Sequence, residues 1–569
     1  MRKQASVEST AEAYLELLAA RGVEYFFANA GTDFAPLIEA YARRSAQGHA
    51  RPRPLTVPHE VTAVGMACGY AMVTGRPQVV MVHTIVGTAN ALGGIMNASR
   101  SNVPVLFSAG RNPITEAGEL GSRDRQIHWA QESFDQAGLV REFVKWDYEL
   151  RNFGQLETVV DRALAIAQAE PQGPVYLTLP REVLGERQEA FEYSDPARAP
   201  RPSALAPDGE TVAEAARLLA TARHPIVITK ALGRDPAAVP ALVELAETLG
   251  LPVFEQAPTH LNFPQDHALH AGFDPAAGVA EADVIIVAEC DAPWYPHLRG
   301  PRPETKIVQV AVDPLFSRYP IRGFHGDVAL AGAPRLALRA LADAVTPLLD
   351  RAVATERRER LGARHAKERE ARAARTRALA ADTPIDMAWL SHAIGEFIDE
   401  RTIMVNEYDF DQSQAAMRVP GSYFAASPAG GLGWGLGSAL GAKLAAPDKT
   451  VICCVGDGAY IFGSPTAAHF VSRAYDIPAL FVVFNNRMWN AVKKAVQTHA
   501  REGWAVKTGA MPLTELDPAP DYELICRASG GHAERVEDPG KLHDALGRAL
   551  HAVREEKRQA LLNVICKKP

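Results

Sequence analysis

The stretch that decides the fold is Thr450–Asn486, TVICCVGDGAYIFGSPTAAHFVSRAYDIPALFVVFNN. Its two apolar runs, Thr450–Val455 and Ala479–Phe484, predict buried strands, and the helical spacing between them predicts one crossover helix. A strand-helix-strand unit of this kind sets two parallel strands side by side. We therefore expect the polar residues after the strands, Asp457 and the pair Asn485-Asn486, to lie at the same edge of a parallel sheet.

The polar residues at this edge favour a metal ion. Asp457 lies between Gly456 and Gly458, and a carboxylate together with an asparagine amide offers the hard oxygen ligands that suit octahedral Mg²⁺. The two glycines let the backbone approach a bound diphosphate closely. Either short motif alone is an ordinary turn after a strand. Together, after consecutive strands, they predict a site for magnesium and a diphosphate.

The same alternation of helical spacing with short apolar runs covers the rest of the chain. It predicts an α/β fold of three doubly wound parallel-sheet domains. A proline-rich stretch, Ser194–Pro207, predicts a linker after the first domain, and the charged, proline-free stretch Arg351–Leu379 predicts a solvated helix before the third. The predicted parts are a first domain 1–187, a central domain 205–345, a charged helical connector 346–383 and a last domain 384–569.

Composition excludes several classes of protein. The net charge is -7 with the signs interspersed, which predicts no nucleic-acid partner and no anionic membrane partner. No window approaches the roughly 18 to 20 apolar residues of a membrane-spanning helix, and the N-terminus lacks an apolar segment of signal-peptide length. The six cysteines show no metal-ligand or disulfide spacing. We expect a cytoplasmic protein.

The paired motifs of the last domain resemble the thiamine diphosphate motif, and the whole chain is similar to the superfamily of acetolactate synthase and benzoylformate decarboxylase. The similarity runs from about Glu8 to Val564 and includes HEVTAVGMACGYAMVTGRP at His59–Pro77 and GGLGWGLGSALGAKLAAPD at Gly430–Asp448. It implies that the first domain binds the cofactor's pyrimidine, and that the last domain binds its diphosphate and Mg²⁺. It also implies a homo-oligomer, dimer or tetramer, with active sites shared between subunits.

The resemblance implies a set of cofactor contacts in the last domain. Asp457 and Asn486 would ligate the metal through their side chains, and Met488 through its backbone carbonyl. The Gly430 carbonyl would accept a hydrogen bond from the aminopyrimidine, and Leu432 would wedge beneath the cofactor. The remaining residues of the implied diphosphate turn are Gly456, Gly458 and Ala459.

Two positions depart from the pattern of the family. Ala459 stands where related enzymes often place a hydroxyl, and the loop Glu407-Tyr408-Asp409 carries an acid where small or hydroxyl residues are common. The contacts to the diphosphate are therefore expected to differ in detail.

Two residues of the first domain are predicted to be catalytic. By the resemblance, Glu60 would hydrogen-bond a pyrimidine nitrogen of the cofactor, although a carboxylate at a helix start is also a common structural feature. His83 follows an apolar strand and begins HTIVGTANALGGIMNA, which is similar to the benzoylformate decarboxylase pattern with a proton-shuttling histidine. The predicted substrate contacts are Thr32, Ala491 and Val492.

The central domain has the layout of a nucleotide-binding domain. The segment after its first strand, from Ile228 to Gly233, lacks the G-x-G-x-x-G spacing that lets a backbone approach a pyrophosphate. We therefore do not expect FAD.

The resemblance implies decarboxylation of a small 2-oxo acid, as in benzoylformate decarboxylase. An acetolactate synthase-like carboligase, which joins acyl units derived from 2-oxo acids, is the first alternative. A non-catalytic binding or regulatory protein on this fold is the second, although the presence of Glu60, Asp457 and Asn486 together argues against it. The sequence leaves open which acid is used, whether an acyl-CoA serves as substrate, and what the central domain does.

Overall fold

A computed structural model describes residues 1–200 and 202–568. Arg201, inside the predicted linker, and Pro569, at the end of the predicted last domain, lie outside the described residues. Within that range the chain forms three parallel sheets covered by helices, which confirms the predicted α/β class. No helix in the described part of the chain is long and apolar enough to cross a membrane.

The first domain is built on a parallel sheet in the order β3-β2-β4-β5-β7-β6, beside an antiparallel pair, β1 and β8. Its strands are β1 (Arg2–Ser6), β2 (Tyr25–Asn29), β3 (Arg53–Thr56), β4 (Val79–Val82), β5 (Leu106–Arg111), β6 (Asp147–Glu149), β7 (Val175–Pro180) and β8 (Ala190–Ser194). Its helices are α1 (Thr10–Ala20), α2 (Ala35–Ala46), α3 (Glu60–Thr74), α4 (Thr84–Arg100), α5 (Ile127–Ala130), α6 (Leu156–Gln168) and α7 (Arg181–Gly185). The pairing of β8 with β1 carries its packed structure beyond residue 187.

The central domain has a parallel sheet in the order β10-β9-β11-β12-β13. Its strands are β9 (Pro225–Thr229), β10 (Val253–Glu255), β11 (Val284–Ala288), β12 (Lys306–Ala311) and β13 (Val328–Ala331). Its helices are α8 (Gly209–Thr221), α9 (Ala238–Leu249), α10 (Ala276–Glu281) and α11 (Pro334–Val345).

The predicted connector is the long helix α12 (Arg351–Ala378). Much of it is exposed, as predicted for a solvated helix, but Arg357 is buried. Its guanidinium donates to the Leu249 and Ala222 carbonyls at 3.1 and 3.0 Å, where α9 and α8 end. A cation near helix C-termini is stabilising, so Arg357 also attaches α12 to the central domain.

The last domain has a parallel sheet in the order β15-β14-β16-β17-β19-β18. Its strands are β14 (Thr402–Glu407), β15 (Tyr423–Ala425), β16 (Thr450–Gly456), β17 (Leu480–Asn485), β18 (His532–Val536) and β19 (Ala560–Ile565). Its helices are α13 (Met387–Gly395), α14 (Trp434–Ala445), α15 (Asp457–Phe462), α16 (Pro465–Ala474), α17 (Asn490–His499), α18 (Trp504–Thr508), α19 (Tyr522–Ala528) and α20 (Leu542–Arg554). As predicted, β16 and β17 are parallel neighbours, so Asp457 and Asn486 leave the same sheet edge.

The first and last domains share one hydrophobic core, in which α3 packs closely against α14. A Cβ at Gly69 would lie 2.0 Å from the Ser438 carbonyl oxygen, and a Cβ at Gly441 would lie 1.9 Å from that of Met66. Side chains at these positions would therefore force the two backbones apart. Glycine here fixes how the helix that begins with Glu60 sits on the helix that follows the Gly430 loop.

Candidate active site

Glu60 is the first residue of α3 and is buried. The side-chain amide of Asn29 donates to its Oε1 at 2.9 Å, and the amide of Asn90 donates to its Oε2. Because each carboxylate oxygen has more than one lone pair, both can still accept another hydrogen bond. The carboxylate is thus held in place and can still accept a bond from a ring nitrogen, as the resemblance implies.

His83 lies next to this acid and is paired with a carboxylate that the sequence did not single out. Its Nδ1 is 2.5 Å from Oδ1 of Asp33, whose side chain is buried while that of His83 is partly exposed. The hydrogen bond to Asp33, together with the charges of Asp33 and Glu60, raises the pKa of His83 against the opposing effect of burial. The charged form of the imidazole is therefore more stable here than in a free histidine side chain.

The backbone around His83 is strained. Thr84, which follows it at the start of α4, has a φ of 41° and a buried hydroxyl oxygen with no hydrogen-bond partner among the described residues. A β-branched residue at positive φ is uncommon, and such strain concentrates at functional sites. Thr32, the predicted substrate contact, begins the adjacent 3₁₀ turn Thr32–Phe34 and is partly buried.

The predicted metal ligands form one compact turn at the edge of the last sheet. Asp457 is buried, and its two oxygens accept hydrogen bonds from the backbone amides of Gly458 at 2.9 Å and Arg487 at 2.6 Å. Oδ1 of Asn486 accepts from the amide of Met488 at 3.0 Å. Arg487, between these residues, adopts a left-handed φ of 57°. The turn therefore brings Asp457, Asn486 and Met488 together, and their role as metal ligands stays a prediction.

This oxygen set fits a magnesium ion that depends on a bound diphosphate. Among the described residues no group of three or more His, Cys, Asp or Glu side chains could hold a metal by itself. One carboxylate, one amide and one carbonyl leave positions for phosphate oxygens, which Mg²⁺ commonly takes. Oδ1 of Asn485 and of Asn490, beside the turn, are buried acceptors without a partner in the described residues. Burial raises the pKa of Asp457 to about 6, because it disfavours the charged carboxylate. A bound cation would stabilise that charged form.

Glu407, at the end of β14, holds the loop that precedes α14. Its fully buried carboxylate accepts hydrogen bonds from the amides of Gly433 at 2.7 Å and Gly435 at 2.8 Å. Burial raises the pKa of Glu407 to about 7. The loop is also tied to the first domain, because Gly431 exchanges hydrogen bonds with the Asn97 side chain. Gly430, at a φ of 73°, and Leu432, packed on the shared core, are thereby fixed.

The departures noted in the sequence lie at the diphosphate turn. Oδ2 of Asp409 lies 2.3 Å from the position that a Cβ on Gly456 would occupy. Burial, and then the charge of Asp457, raise the pKa of Asp409 to about 7. Ala459 is buried in α15, and a Cβ on Gly458 would meet the Trp489 ring. An acid therefore stands beside the turn that the resemblance assigns to the diphosphate.

Ala491 and Val492 occupy the start of α17 and are exposed within one chain. None of the α17 residues is buried. The structure thus places both residues directly after the metal turn but shows nothing that covers them.

Two ion pairs of the chain's own residues lie at the carboxyl edge of the central sheet. Nζ of Lys230, after β9, lies 2.7 Å from Oδ1 of Asp291, after β11, and Arg234 pairs with the buried Glu289. Nucleotides in such sheets bind outside the carboxyl ends of the strands, and these pairs lie after the neighbouring strands β9 and β11. The arrangement gives a physical reason to expect no nucleotide there.

Models of the thiamine pyrophosphate enzyme family match the chain in three segments. The N-terminal TPP binding domain matches residues 8–139, the central domain matches 212–341, and the C-terminal TPP binding domain matches 409–564.

Relatives of known name span nearly the whole chain. The benzoylformate decarboxylase of Pseudomonas aeruginosa is 29% identical over 557 residues, which cover 95% of this chain and 96% of that protein. A probable acetolactate synthase large subunit of Methanocaldococcus jannaschii is 25% identical over 571 residues, covering 95% of this chain and 89% of that protein. Among solved structures, the thiamine diphosphate-dependent 4-hydroxybenzoylformate decarboxylase of Rhodococcus jostii RHA1 has a TM-score of 0.79 at 23% identity and 99% coverage of both chains. At that identity the likeness shows the shared fold.

Proposed function

Because this chain belongs to the thiamine pyrophosphate enzyme family and is a lyase or carboligase of that family, we propose that it decarboxylates a 2-oxo acid with Mg²⁺ as the second cofactor. The observation that carries the proposal is the group of Glu60 and the His83–Asp33 pair at one edge of the first sheet. A fixed acid and an adjacent imidazole paired with a carboxylate are suited to successive proton transfers at one site.

When bound, thiamine diphosphate supplies a carbon nucleophile and an electron sink for the bond that breaks. Glu60 would hold the pyrimidine nitrogen, and its fixed carboxylate would exchange a proton with it. Asp457, Asn486 and the Met488 carbonyl would hold Mg²⁺ against the diphosphate. Gly430 and Leu432 would orient the cofactor, and Gly456, Gly458 and Ala459 would border its diphosphate.

His83 would supply the proton that makes the product an aldehyde. Its imidazole is partly exposed while its Nδ1 is engaged by Asp33, so Nε2 is the nitrogen available to a substrate. Thr32, on the neighbouring turn, would hold the substrate carboxylate, and Ala491 and Val492 would border the substrate. FAD plays no part in this proposal.

A carboligase of the acetolactate synthase kind is the second candidate. It is favoured by the similarity to acetolactate synthases along the whole chain. The two candidates differ in the electrophile that reacts with the acyl-derived carbon after carbon dioxide leaves. A proton from His83 gives an aldehyde, whereas a second carbonyl compound gives a ligated product.

The proposal includes a cytoplasmic homo-oligomer, dimer or tetramer, with active sites shared between subunits. Large apolar side chains on both cofactor-binding domains are exposed in one chain, among them Trp129, Phe134, Trp504 and Leu513. Sedimentation of the active enzyme should show a dimer or a larger species, and a fully active monomer would refute this part.

Replacement of His83 by alanine tests the proposed function. Cofactor activation, followed as hydrogen-deuterium exchange at its C2 position, should stay near the wild-type rate, because Glu60 is intact. Aldehyde release should fall by about 10²- to 10⁴-fold, the usual effect of losing a positioned proton donor. Release of aldehyde at the wild-type rate would remove the main support for the decarboxylase over the carboligase.

A further inference from the structure

Three neighbouring strands of the first domain end at one point, and each contributes to a small polar group there. Asp33 lies in the turn after β2, His83 directly follows β4, and Gly110 lies near the end of β5. Because β2 pairs with β4 and β4 with β5, the three positions lie side by side. The topology itself therefore brings Asp33 and His83 together.

Two glycines leave the space that the His83–Asp33 pair occupies. A Cβ at Gly31 would lie 2.2 Å from Nδ1 of His83, and a Cβ at Gly110 would lie 1.8 Å from Oδ2 of Asp33. Any other residue at either position would push the imidazole or the carboxylate out of place. The space that the two side chains occupy exists only because both neighbours lack a side chain.

The carboxylate of Asp33 is committed to the imidazole. Oδ1 lies 2.5 Å from His83 Nδ1, and the buried Oδ2 has no hydrogen-bond partner in the described residues. A buried carboxylate is costly unless it is paired, and His83 is the cation at hand. The other groups that face the ring are Glu60, through its charge, and the Gln131 side chain.

We propose that Asp33 is a positioning residue that holds His83 through Nδ1, with Nε2 directed to the substrate, and supplies the countercharge for the ring when it carries a proton. A ring nitrogen's hydrogen-bond partner sets which nitrogen carries the proton and how the ring is oriented. The pKa of His83, raised chiefly by this hydrogen bond, agrees with that role. The part of the inference that concerns catalysis rests on the proposed function, whereas the coupling of Asp33 to His83 does not.

The test compares Asp33→Asn with wild type in the assembled holoenzyme. Asparagine preserves the shape and can still accept a hydrogen bond, but it removes the charge. Titration of His83 is followed by NMR on histidine-labelled protein, with the resonance assigned from its loss in His83→Ala. The pH profile of aldehyde release is measured in parallel. Glu247→Gln, which makes the same change beside the partly exposed His267, is the matched control.

In Asp33→Asn the His83 resonance should titrate at lower pH than in wild type, and the alkaline limb of the activity profile should move in the same direction. Asp33→Glu should restore both in part, and Glu247→Gln should change neither. If Asp33→Asn does not fold, Asp33→Ser, which also removes the charge, is measured in its place. An unchanged His83 titration in the folded variant would overturn the proposal. If His83→Ala releases aldehyde at the wild-type rate while Asp33→Asn still moves the titration, the coupling stands and only the proposed function of His83 fails.

Discussion

Buried carboxylates of the candidate site are held by three kinds of donor. Glu60 is held by two side-chain amides and Asp33 by an imidazole, whereas Asp457 and Glu407 are held by backbone amides. The amides that hold Glu60, Asp457 and Glu407 are neutral, and they fix a carboxylate without supplying a countercharge. Each of these acids can therefore be tested by a change that keeps its shape and removes its charge.

Glu60→Gln should bind the cofactor but lose about 10²- to 10⁴-fold in turnover, because an amide cannot exchange a proton with the pyrimidine nitrogen. Asn29 and Asn90 would still face the new side chain, so the fold should persist. Steady-state turnover and calorimetric cofactor affinity are the measurements, with the surface change Glu39→Gln as control. Wild-type turnover in Glu60→Gln would show that its carboxylate takes no part in proton transfer.

Asp457→Ala should abolish magnesium-dependent cofactor binding, because it removes the only carboxylate among the proposed ligands. The turn lies at a sheet edge, so we expect a large loss of cofactor affinity and only a small change in melting temperature. Isothermal titration with thiamine diphosphate, with and without Mg²⁺, measures the effect. Equal affinities in the variant and the wild type would mean that the metal is held elsewhere.

At the scale of the element, apolar strands after clear turns could be predicted from the sequence. The prediction Thr450–Val455 corresponds to β16, Thr450–Gly456. Short edge strands could not be predicted, because they lack a long apolar run. Examples are β3, with residues RPLT, and β15, with three residues. Their pairing comes from the neighbouring strand, which a local pattern does not contain.

Some residues of the candidate site could likewise be predicted from the sequence, and others could not. Asp457 and Asn486 could be predicted because two polar motifs end two consecutive strands. Asp33 could not, since its role arises from β2 and β4 being neighbours and from glycine at position 110 on a third strand. Sequence adjacency to Thr32 was its only local signal.

The crossing of α3 and α14 should tolerate no added side chain. Gly441→Ala should destabilise the protein by about 1 to 3 kcal/mol, the usual cost of overpacking, because its Cβ would meet the Met66 carbonyl. Gly547→Ala, on α20 with no atom near its Cβ, is the matched control and should stabilise by up to about 1 kcal/mol. Thermal melting compares the two variants. Equal melting temperatures would show that the helices can separate without cost.

The buried His469 on α16 should make the last domain sensitive to acid. It bonds Tyr460 OH at 2.8 Å and Gln559 Oε1 at 2.7 Å, and burial lowers its pKa to about 4 from 6.5. Between these values the unfolded chain binds more protons than the folded one. Stability should therefore fall as the pH falls from 6.5 to 4, by on the order of 3 kcal/mol in all. Melting temperatures across this range should depend less on pH in His469→Gln than in His551→Gln, an exposed control; equal dependence would contradict the assignment.

In the whole molecule, two of the three domains carry a polar sheet edge that we propose faces the cofactor, with the two edges of one site coming from different subunits. Under that proposal the first domain would supply groups that move protons, and the last domain would supply oxygens that hold a metal and a diphosphate. Glycine contacts between α3 and α14 set how these domains sit in one chain. In the central domain, the pairs Lys230–Asp291 and Arg234–Glu289 lie at the corresponding sheet edge.

A panel of aliphatic and aromatic 2-oxo acids tests whether the enzyme decarboxylates a 2-oxo acid. Purified protein is given each acid with thiamine diphosphate and Mg²⁺, and carbon dioxide release is measured together with product identity by mass spectrometry. We expect at least one acid to yield carbon dioxide and the aldehyde one carbon shorter in equal amounts, and omission of either cofactor to stop both. Carbon dioxide accompanied only by a ligated product, or no carbon dioxide from any acid by protein that binds the cofactor, would contradict it.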